Sequence, residues 1–492
     1  MGWMTGRSGA AIAAGILAAT LAAGMAAAQQ SDEADGGDGE VVTRQYDDGG
    51  IYEGTFRDGL QHGQGTYRLP NGFEYTGEWV DGEIEGEGVA RYPNGSVYEG
   101  EFVEGRPHGQ GQITFADGGT YEGQWVEGRM QGEGVRRYAS GVVYRGEFAD
   151  NQPHGQGVME RPGGYRYEGD WVEGMRQGQG TITYPDGSVY EGGMMADQRH
   201  GEGRYERPDG MVYEGQWSEG QIHGEGRLEQ GDGDVYIGNF VNGEREGEGR
   251  VEYADGSVFE GSFQNDRRHG QGTFTGADGY VYEGMWVAGR IEGNGRAEYP
   301  DGTVYEGSFR DGQHDGEGTI TYADGTTYEG EWVEGRIEGE GVLRSADGLV
   351  YEGGFRDSLS HGQGVMTHPD GRRYEGEWVE GEIEGEGTMT YPDGTVYEGQ
   401  FVDGQRHGQG RIEMPDGFVY EGEWVEGRIE GEGRAVYANG DVYEGAFQDG
   451  RRHGYGVLRY ATGETREGEW ENGALVEPVT DTDGEGEEQE PQ

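Results

Sequence analysis

The stretch YEGEWVEGRIEGEG at residues 420–433 is one copy of a unit that recurs every 23 residues. Its opening aromatic residue returns without insertion or deletion through eighteen full units, and a nineteenth, partial unit runs from Arg466 to Trp470. The opening residues are Tyr52, Tyr75, Tyr98, Tyr121, Tyr144, Tyr167, Tyr190, Tyr213, Tyr236, Phe259, Tyr282, Tyr305, Tyr328, Tyr351, Tyr374, Tyr397, Tyr420 and Tyr443. A fixed period of this length is typical of a repeat array, in which each unit buries its apolar face against its neighbours.

Each unit has the pattern of a β-hairpin. Tyr420, Gly422 and Trp424 alternate with two Glu residues, which is typical of a half-buried strand. Glu426-Gly427 predicts a tight turn, a second strand is expected at about residues 430–437, and Asn439-Gly440 predicts a second turn. The sequence therefore predicts an all-β fold, an elongated single-layer antiparallel β-meander of tandem 23-residue β-hairpin repeats with about 36 strands.

Composition excludes several classes of function. The 492-residue chain has 106 Gly, no Lys, no Cys and a formal net charge of −59. Nucleic acid and anionic lipid require a basic surface, so neither is expected to bind well. A P-loop or kinase-type site needs a Lys, and thiolate metal sites need Cys. No catalytic activity is expected.

The two ends differ from the repeats. Residues 1–28 have the pattern of a secretory signal, with Arg7 before an Ala-rich apolar run and small residues at Ala26-Ala27-Ala28. We expect cleavage after Ala28, which would place the mature repeat protein in the periplasm or outside the cell. The alternative is an uncleaved membrane anchor. Residues 29–51 are interpreted as an acidic, Gly-rich linker, and residues 474–492 as an acidic disordered tail.

A second period of 46 residues lies over the first. The fifth residue of the unit alternates between Phe and Trp, as at Phe56, Trp79, Phe102 and Trp125. The alternation slips once, where Phe240 is followed by Phe263. This pattern predicts a first repeat block at residues 52–235, a junction repeat at 236–258 and a second block at 259–473. The slip is interpreted either as a hinge or as a fusion scar.

The run YEGEFVEGRPHGQG at residues 98–111, repeated over residues 52–473, resembles the MORN (membrane occupation and recognition nexus) repeat. We interpret the chain as a secreted, bacterial type of this family. The resemblance implies a twisted sheet of β-hairpins and a scaffold role with self-association. For some members it also implies phosphoinositide binding, which the charge of this chain disfavours.

We expect protein partners or self-association as a homodimer through one aromatic face, because a single-layer sheet has nothing to cover that face. The alternative is a binding module for envelope glycan or phospholipid headgroups through the same face. The candidate face consists of Trp79, Trp125, Trp171, Trp217, Trp286, Trp332, Trp378, Trp424, Trp470, Tyr98, Tyr328 and Tyr420.

No cofactor or metal site is expected, apart from weak calcium binding by rows of Glu and Asp. The nine His at one place in their units, such as His62 and His108, are mostly two units apart. They are too far apart to share one ion, so a structural role in the strand is expected.

Overall fold

A computed structural model describes residues 39–478, in which every regular element is a β-strand. The chain divides into two compact units, residues 1–244 and 245–492, and the boundary lies within repeat 236–258. In each of these two compact units the strands pair antiparallel with their neighbours in the chain, which confirms the all-β hairpin meander. Below, the word unit alone means one 23-residue repeat. Residues 1–38 and 479–492, with the signal segment expected there, lie outside the described residues.

The strands up to the boundary are β1 (Val42–Gln45), β2 (Ile51–Arg57), β3 (Leu60–Arg68), β4 (Glu74–Val80), β5 (Glu83–Arg91), β6 (Val97–Val103), β7 (Arg106–Thr114), β8 (Thr120–Val126), β9 (Arg129–Arg137), β10 (Val143–Ala149), β11 (Gln152–Glu160), β12 (Arg166–Val172), β13 (Met175–Thr183), β14 (Val189–Met195), β15 (Gln198–Glu206), β16 (Val212–Ser218), β17 (Gln221–Glu229) and β18 (Val235–Val241).

The strands from the boundary onward are β19 (Glu244–Glu252), β20 (Val258–Gln264), β21 (Arg267–Thr275), β22 (Val281–Val287), β23 (Arg290–Glu298), β24 (Val304–Arg310), β25 (Gln313–Thr321), β26 (Thr327–Val333), β27 (Arg336–Arg344), β28 (Val350–Arg356), β29 (Leu359–Thr367), β30 (Arg373–Val379), β31 (Glu382–Thr390), β32 (Val396–Val402), β33 (Gln405–Glu413), β34 (Val419–Val425), β35 (Arg428–Val436), β36 (Val442–Gln448), β37 (Arg451–Arg459), β38 (Thr465–Glu471) and β39 (Ala474–Pro478).

The two turns of a unit are built differently. We number unit positions from the opening aromatic residue as position 1. In the first turn, positions 7 and 8 both have positive φ, 46° at Glu426 and 79° at Gly427, as a type I′ hairpin turn requires. In the second turn, Tyr437 N–H donates to the Asp441 carbonyl at 2.8 Å, and Gly440 N–H donates back to the Tyr437 carbonyl at 2.8 Å. Gly440 has a φ of 89°, so glycine suits this place best.

Glycines at positions 3 and 14 face each other along the middle of the strands. Gly422 pairs with Gly433, and Gly433 pairs in turn with Gly445 of the next unit. The register shifts between Gly422 and Trp424, and such a β-bulge increases the local twist of a strand. A Cβ atom on Gly433 would lie 2.4–2.7 Å from the Tyr420 ring. The glycine pairs therefore leave the space that the position 1 ring occupies.

Strands extend past both predicted ends of the array. β1 pairs with β2 inside the segment interpreted as a linker, and β39 pairs with β38 inside the segment interpreted as a disordered tail. The nineteenth unit therefore forms a complete hairpin instead of stopping after Trp470. The pattern was missed because these strands carry few of the consensus residues. With β38, they bring the total to 39 strands, three more than the 36 expected.

Candidate functional site

The predicted aromatic face is buried. Its nine Trp side chains are 2–5% exposed, and Tyr98, Tyr328 and Tyr420 are 0% exposed. The expectation of a long exposed aromatic strip is therefore wrong for the described residues, and these rings offer no contact surface. Sequence periodicity shows which residues share a face, but it does not show whether neighbouring units close over that face.

Ring contacts between successive units bury this face. Tyr98 meets Phe102 of its own unit at 5.0 Å between centroids and Trp125 of the next unit at 5.2 Å, both edge-to-face. The contact repeats from unit to unit, and we name the rings at positions 1 and 5 the aromatic ladder. Edge-to-face pairs contribute about 0.5–1.5 kcal/mol each beyond their buried area. The ladder thus adds side-chain contacts to the backbone pairing that joins one 23-residue unit to the next.

Most polar atoms of the ladder are satisfied internally, and Trp378 Nε1 is an exception that is buried without a hydrogen-bond partner. The Tyr98 hydroxyl donates to the Glu101 carbonyl at 3.0 Å, and Trp125 Nε1 donates to the Gly111 carbonyl at 3.1 Å. Burial raises the pKa of the position 1 tyrosines, to about 12 at Tyr52. These hydroxyls stay protonated at any ordinary pH, so they are structural donors and poor acid–base groups.

The residue at position 10 varies with the ring at position 5 of the next unit. The side chain at this position lies over the position 5 ring of the next unit, as Arg406 does over Trp424 at 4.4 Å and Arg452 over Trp470 at 4.3 Å. Ile383 occupies the same place before Phe401, and its carbonyl accepts from Gly404 N–H at 3.0 Å. In these pairs a flat guanidinium covers the indole and a branched aliphatic chain covers the smaller phenyl, but the matching is a tendency, since Gln61, Pro107 and Ser360 also precede Trp and Arg245 lies over Phe263 at 5.2 Å.

Position 11 supports the first turn of the following unit. Glu430 Oε1 accepts from Asp449 N–H at 3.0 Å, and His62 Nδ1 accepts from Asp81 N–H at 3.4 Å. The residue that donates has positive φ without being glycine, 47° at Asp449, which is unfavourable unless the surroundings hold it. The repeated Glu, with His62 and His269, thus cap a turn of positive φ, whereas His200 Nδ1 and His361 Nδ1 are buried without a hydrogen-bond partner.

A second set of aromatic rings is accessible, and sequence reasoning did not select it. These rings stand at position 18, where the second turn begins, and they are half-buried or, at Tyr322, 36% exposed. We name them the second-turn row: Tyr92, Phe115, Tyr138, Tyr184, Tyr253, Tyr299, Tyr322, Tyr391, Tyr437 and Tyr460. The sequence did contain one indication of these rings: they lie beside the exposed second turn, outside the stretch in which aromatic residues alternate with glycine.

The opposite face of the sheet is acidic. Glu317 and Glu331 are exposed and lie directly opposite each other on neighbouring strands, an arrangement that costs free energy through like-charge repulsion. Arg434 relieves some of this charge by pairing with Glu444 at 3.1 Å, but exposed pairs of this kind stabilise little. The face is therefore a solvated surface of negative potential.

Among residues 39–478, no group of three or more His, Asp or Glu side chains is arranged to hold a metal ion. Within the same range, the structure has no helix with the length and apolar character needed to span a bilayer.

Comparison with known proteins extends this description. Rat (Rattus norvegicus) alsin is 44% identical over 50 residues, which is 9% of this chain and 3% of alsin, so the chain spans a small part of that relative. The TCP10 domain of Danio rerio CPAP, solved with a peptide of Danio rerio STIL, has 16% identity and a TM-score of 0.21, over 54% of this chain and 97% of that domain. Virginiamycin B lyase from Staphylococcus aureus has 14% identity and a TM-score of 0.10, over 58% of this chain and 92% of the lyase.

The family itself is shown by sequence. The model of the MORN repeat matches eighteen consecutive segments that begin at residues 52–73 and end at residues 443–465, each coinciding with one hairpin unit. The matches follow the whole aromatic ladder in both compact units. The chain belongs to the MORN repeat family.

Proposed function

We propose that this chain is a non-catalytic scaffold that binds partner proteins, or further copies of itself, in the cell envelope. The observation that carries the proposal is the contrast between ladder and surface. The units use their position 1 and position 5 rings for contacts within the ladder, and Met194 replaces the position 5 ring in one unit. What remains exposed is the same edge and the same acidic face, unit after unit, and arrays of this kind serve as extended binding surfaces.

Export is part of the proposal and rests on residues 1–28. An apolar run behind Arg7 and the small residues up to Ala28 support a cleaved signal. Sequencing the N-terminus of the mature protein from the host envelope is expected to begin at Gln29. An intact N-terminus retained in the inner membrane would contradict cleavage and favour an anchor.

Capture of proteins from the envelope fraction tests the scaffold role. The purified full chain is immobilised, and bound proteins are identified at increasing salt. We expect a small set of proteins that saturate and that an acidic control protein of similar net charge does not retain. Light scattering over the same salt range tests self-association, since screening reduces repulsion between two chains of charge −59. Identical capture by the control, together with a monomeric mass throughout, would overturn the proposal.

A second candidate function is binding of envelope glycan or phospholipid headgroups. The partly accessible rings of the second-turn row favour it, because aromatic faces suit ligands with one apolar side. A glycan array tests the first form. For the second, we expect little cosedimentation with phosphoinositide vesicles at moderate salt, because the chain lacks Lys and is strongly negative. Strong retention without added calcium would favour the lipid form, and weak calcium binding by the acidic rows stays a prediction.

A further inference from the structure

We propose that the second-turn row is a docking surface for arginine side chains of a cationic partner segment. The inference rests on the proposed function and names the chemistry of the partner. In one unit an arginine of this chain itself lies against the row.

Arg136 is that arginine. Its guanidinium carbon lies 3.6 Å from the centroid of Phe115 and 5.1 Å from the centroid of Tyr138, two successive members of the row. Asp117 lies on the turn that follows Phe115 and contributes negative charge near this guanidinium, whose Nη1 is buried without a hydrogen-bond partner. Two rings and one carboxylate thus form a cradle that fits a planar cation.

Arg136 stands at a place where other units carry apolar residues. Position 16 is Ile113, Ile182, Ile320 and Ile412 in four other units. Isoleucine is too short to carry any group as far as the guanidinium of Arg136 reaches. Units with isoleucine at position 16 and two successive rings in the row therefore have the walls of the cradle without an internal cation.

The clearest such place is formed by Tyr299 and Tyr322 with Asp301. Tyr322 is 36% exposed, Tyr299 is half-buried, and Ile320 between them is 6% exposed. One carboxylate oxygen of Asp301 accepts from Thr303 N–H at 2.9 Å, which fixes the carboxylate at the turn. The aromatic and acidic residues at Phe115, Tyr138 and Asp117 recur here at the same unit positions, and the Tyr299 hydroxyl is held 2.9 Å from His314 Nε2.

The net charge of the chain indicates which kind of partner binds the second-turn row. A surface of net charge −59 repels acidic partners and concentrates basic ones. Charge alone does not distinguish Lys from Arg, but the rings do, because guanidinium is planar, weakly hydrated and stacks on aromatic faces. The partner class is therefore an arginine-rich protein segment that lies along the second turns.

Fluorescence anisotropy with two labelled peptides, nona-arginine and nona-lysine, tests this on the full chain. We expect nona-arginine to bind at least threefold more tightly at equal salt. The Y299L/Y322L variant should weaken nona-arginine about threefold to tenfold and leave nona-lysine unchanged. Leucine occupies the same position in the repeat at Leu69, so the variant is expected to fold.

Two further variants separate the rings from general charge. R136I, with a residue that four units already carry, frees the cradle at Phe115 and Tyr138 and should strengthen nona-arginine binding about twofold. Y455L makes the same chemical change at a tyrosine that is 50% exposed at position 13, outside the row, and should change nothing.

Equal affinity for the two peptides, with no effect of Y299L/Y322L or R136I, would overturn the inference and leave charge as the only cause of binding. Displacement of nona-arginine by the uncharged hexasaccharide chitohexaose would also overturn it, in favour of a glycan surface. If the envelope capture succeeds while the peptides are not distinguished, only this inference fails. If the peptides are distinguished but no protein is captured, the surface chemistry stands and the scaffold function fails.

Discussion

The aromatic ladder and the second-turn row are made of the same kind of side chain, yet one is buried and the other is accessible. At the ladder, Tyr420 lies over Gly433 and is enclosed by Trp424 and Phe447, with centroids at 5.5 and 5.1 Å. At the row, Tyr322 stands beside an exposed turn and is 36% exposed. The difference teaches that glycine opposite a ring, more than the ring itself, decides which aromatic residues hold this fold together.

The largest expected effect comes from filling the space under a ladder ring. Gly433→Ala places a methyl group within 2.7 Å of three Tyr420 ring and hydroxyl atoms, and the ring cannot retreat because its hydroxyl donates to the Glu423 carbonyl at 3.0 Å. We expect a loss of about 3 kcal/mol in the free energy of unfolding. Urea unfolding, monitored by Trp fluorescence, measures this loss for the whole protein. Native-state hydrogen exchange of β34–β36 measures it locally.

Two controls accompany this change. Gly427→Ala adds a methyl group with nothing within 4 Å and a φ of 79°, so it should cost only about 1 kcal/mol. Tyr322→Ala, in the second-turn row, should cost less than about 1 kcal/mol because the ring is partly solvated. Equal costs for Gly433→Ala and Gly427→Ala would show that the ring over the glycine is not what makes position 14 intolerant.

A double-mutant cycle at Trp424 and Arg406 tests the pairing that produces the 46-residue period. Trp424→Phe leaves unfilled space under Arg406 and removes the Nε1 hydrogen bond to the Gly410 carbonyl, 3.0 Å long. We expect a cost of about 2 kcal/mol. In the double variant Trp424→Phe/Arg406→Ile the pair becomes that of Phe401 and Ile383. Its free energy of unfolding should therefore be about 1 kcal/mol higher than that of Trp424→Phe alone. Strict additivity in urea unfolding would show that the side chains at positions 10 and 5 are not coupled.

These two tests also mark what the sequence could predict. The fold followed from the 23-residue period, alternating residues and two turns, because hairpin geometry is set locally. The alternation of Phe and Trp was visible too, but the contact of Arg406 with Trp424 was not, since the two residues meet only when successive units pack. The candidate face failed for the same reason: Trp79 and Tyr98 were correctly placed on one face, and their burial depends on contacts between units. The second-turn row was passed over because its rings do not alternate with glycine.

His314 joins the two aromatic sets and should make stability depend on pH. Its ring stacks on Tyr305 of the ladder at 3.6 Å, and its Nε2 is 2.9 Å from the hydroxyl of Tyr299 in the row. Burial lowers the pKa of His314 from 6.5 to about 4. The folded state therefore favours neutral histidine, and the stabilisation present above pH 6.5 is lost as pH falls toward 4.

Comparison with His314→Gln isolates this titration from the many carboxylates. Gln61 occupies the same unit position and donates through Nε2 to the Tyr46 hydroxyl at 2.7 Å, so glutamine can keep the hydrogen bond to Tyr299. Between pH 7.5 and 4, the wild type should lose about 1 kcal/mol more than the variant, a value discounted for partial exposure. Parallel pH profiles in urea unfolding would show that His314 does not titrate in this range.

The smallest effect on stability is expected at the first turn, which lies at the end of the strands away from the second-turn row. Exchanging glycine and asparagine there in two units should stabilise one variant and destabilise the other. Asn151 and Gly105 both stand at position 8, with φ of 72° and 73°. The Asn151 Oδ1 accepts from Met130 N–H of the preceding unit at 3.0 Å, whereas a glycine offers no such acceptor. Gly105 has nothing within 4 Å of an added Cβ, and asparagine tolerates positive φ, so Gly105→Asn should gain about 0.5 kcal/mol through a new bond from Ile84 N–H and a less flexible unfolded chain. Asn151→Gly should lose a similar amount. Thermal unfolding of both variants decides the matter: a loss in both would mean that the identity of the neighbouring unit, and not the acceptor, determines which residue position 8 accepts.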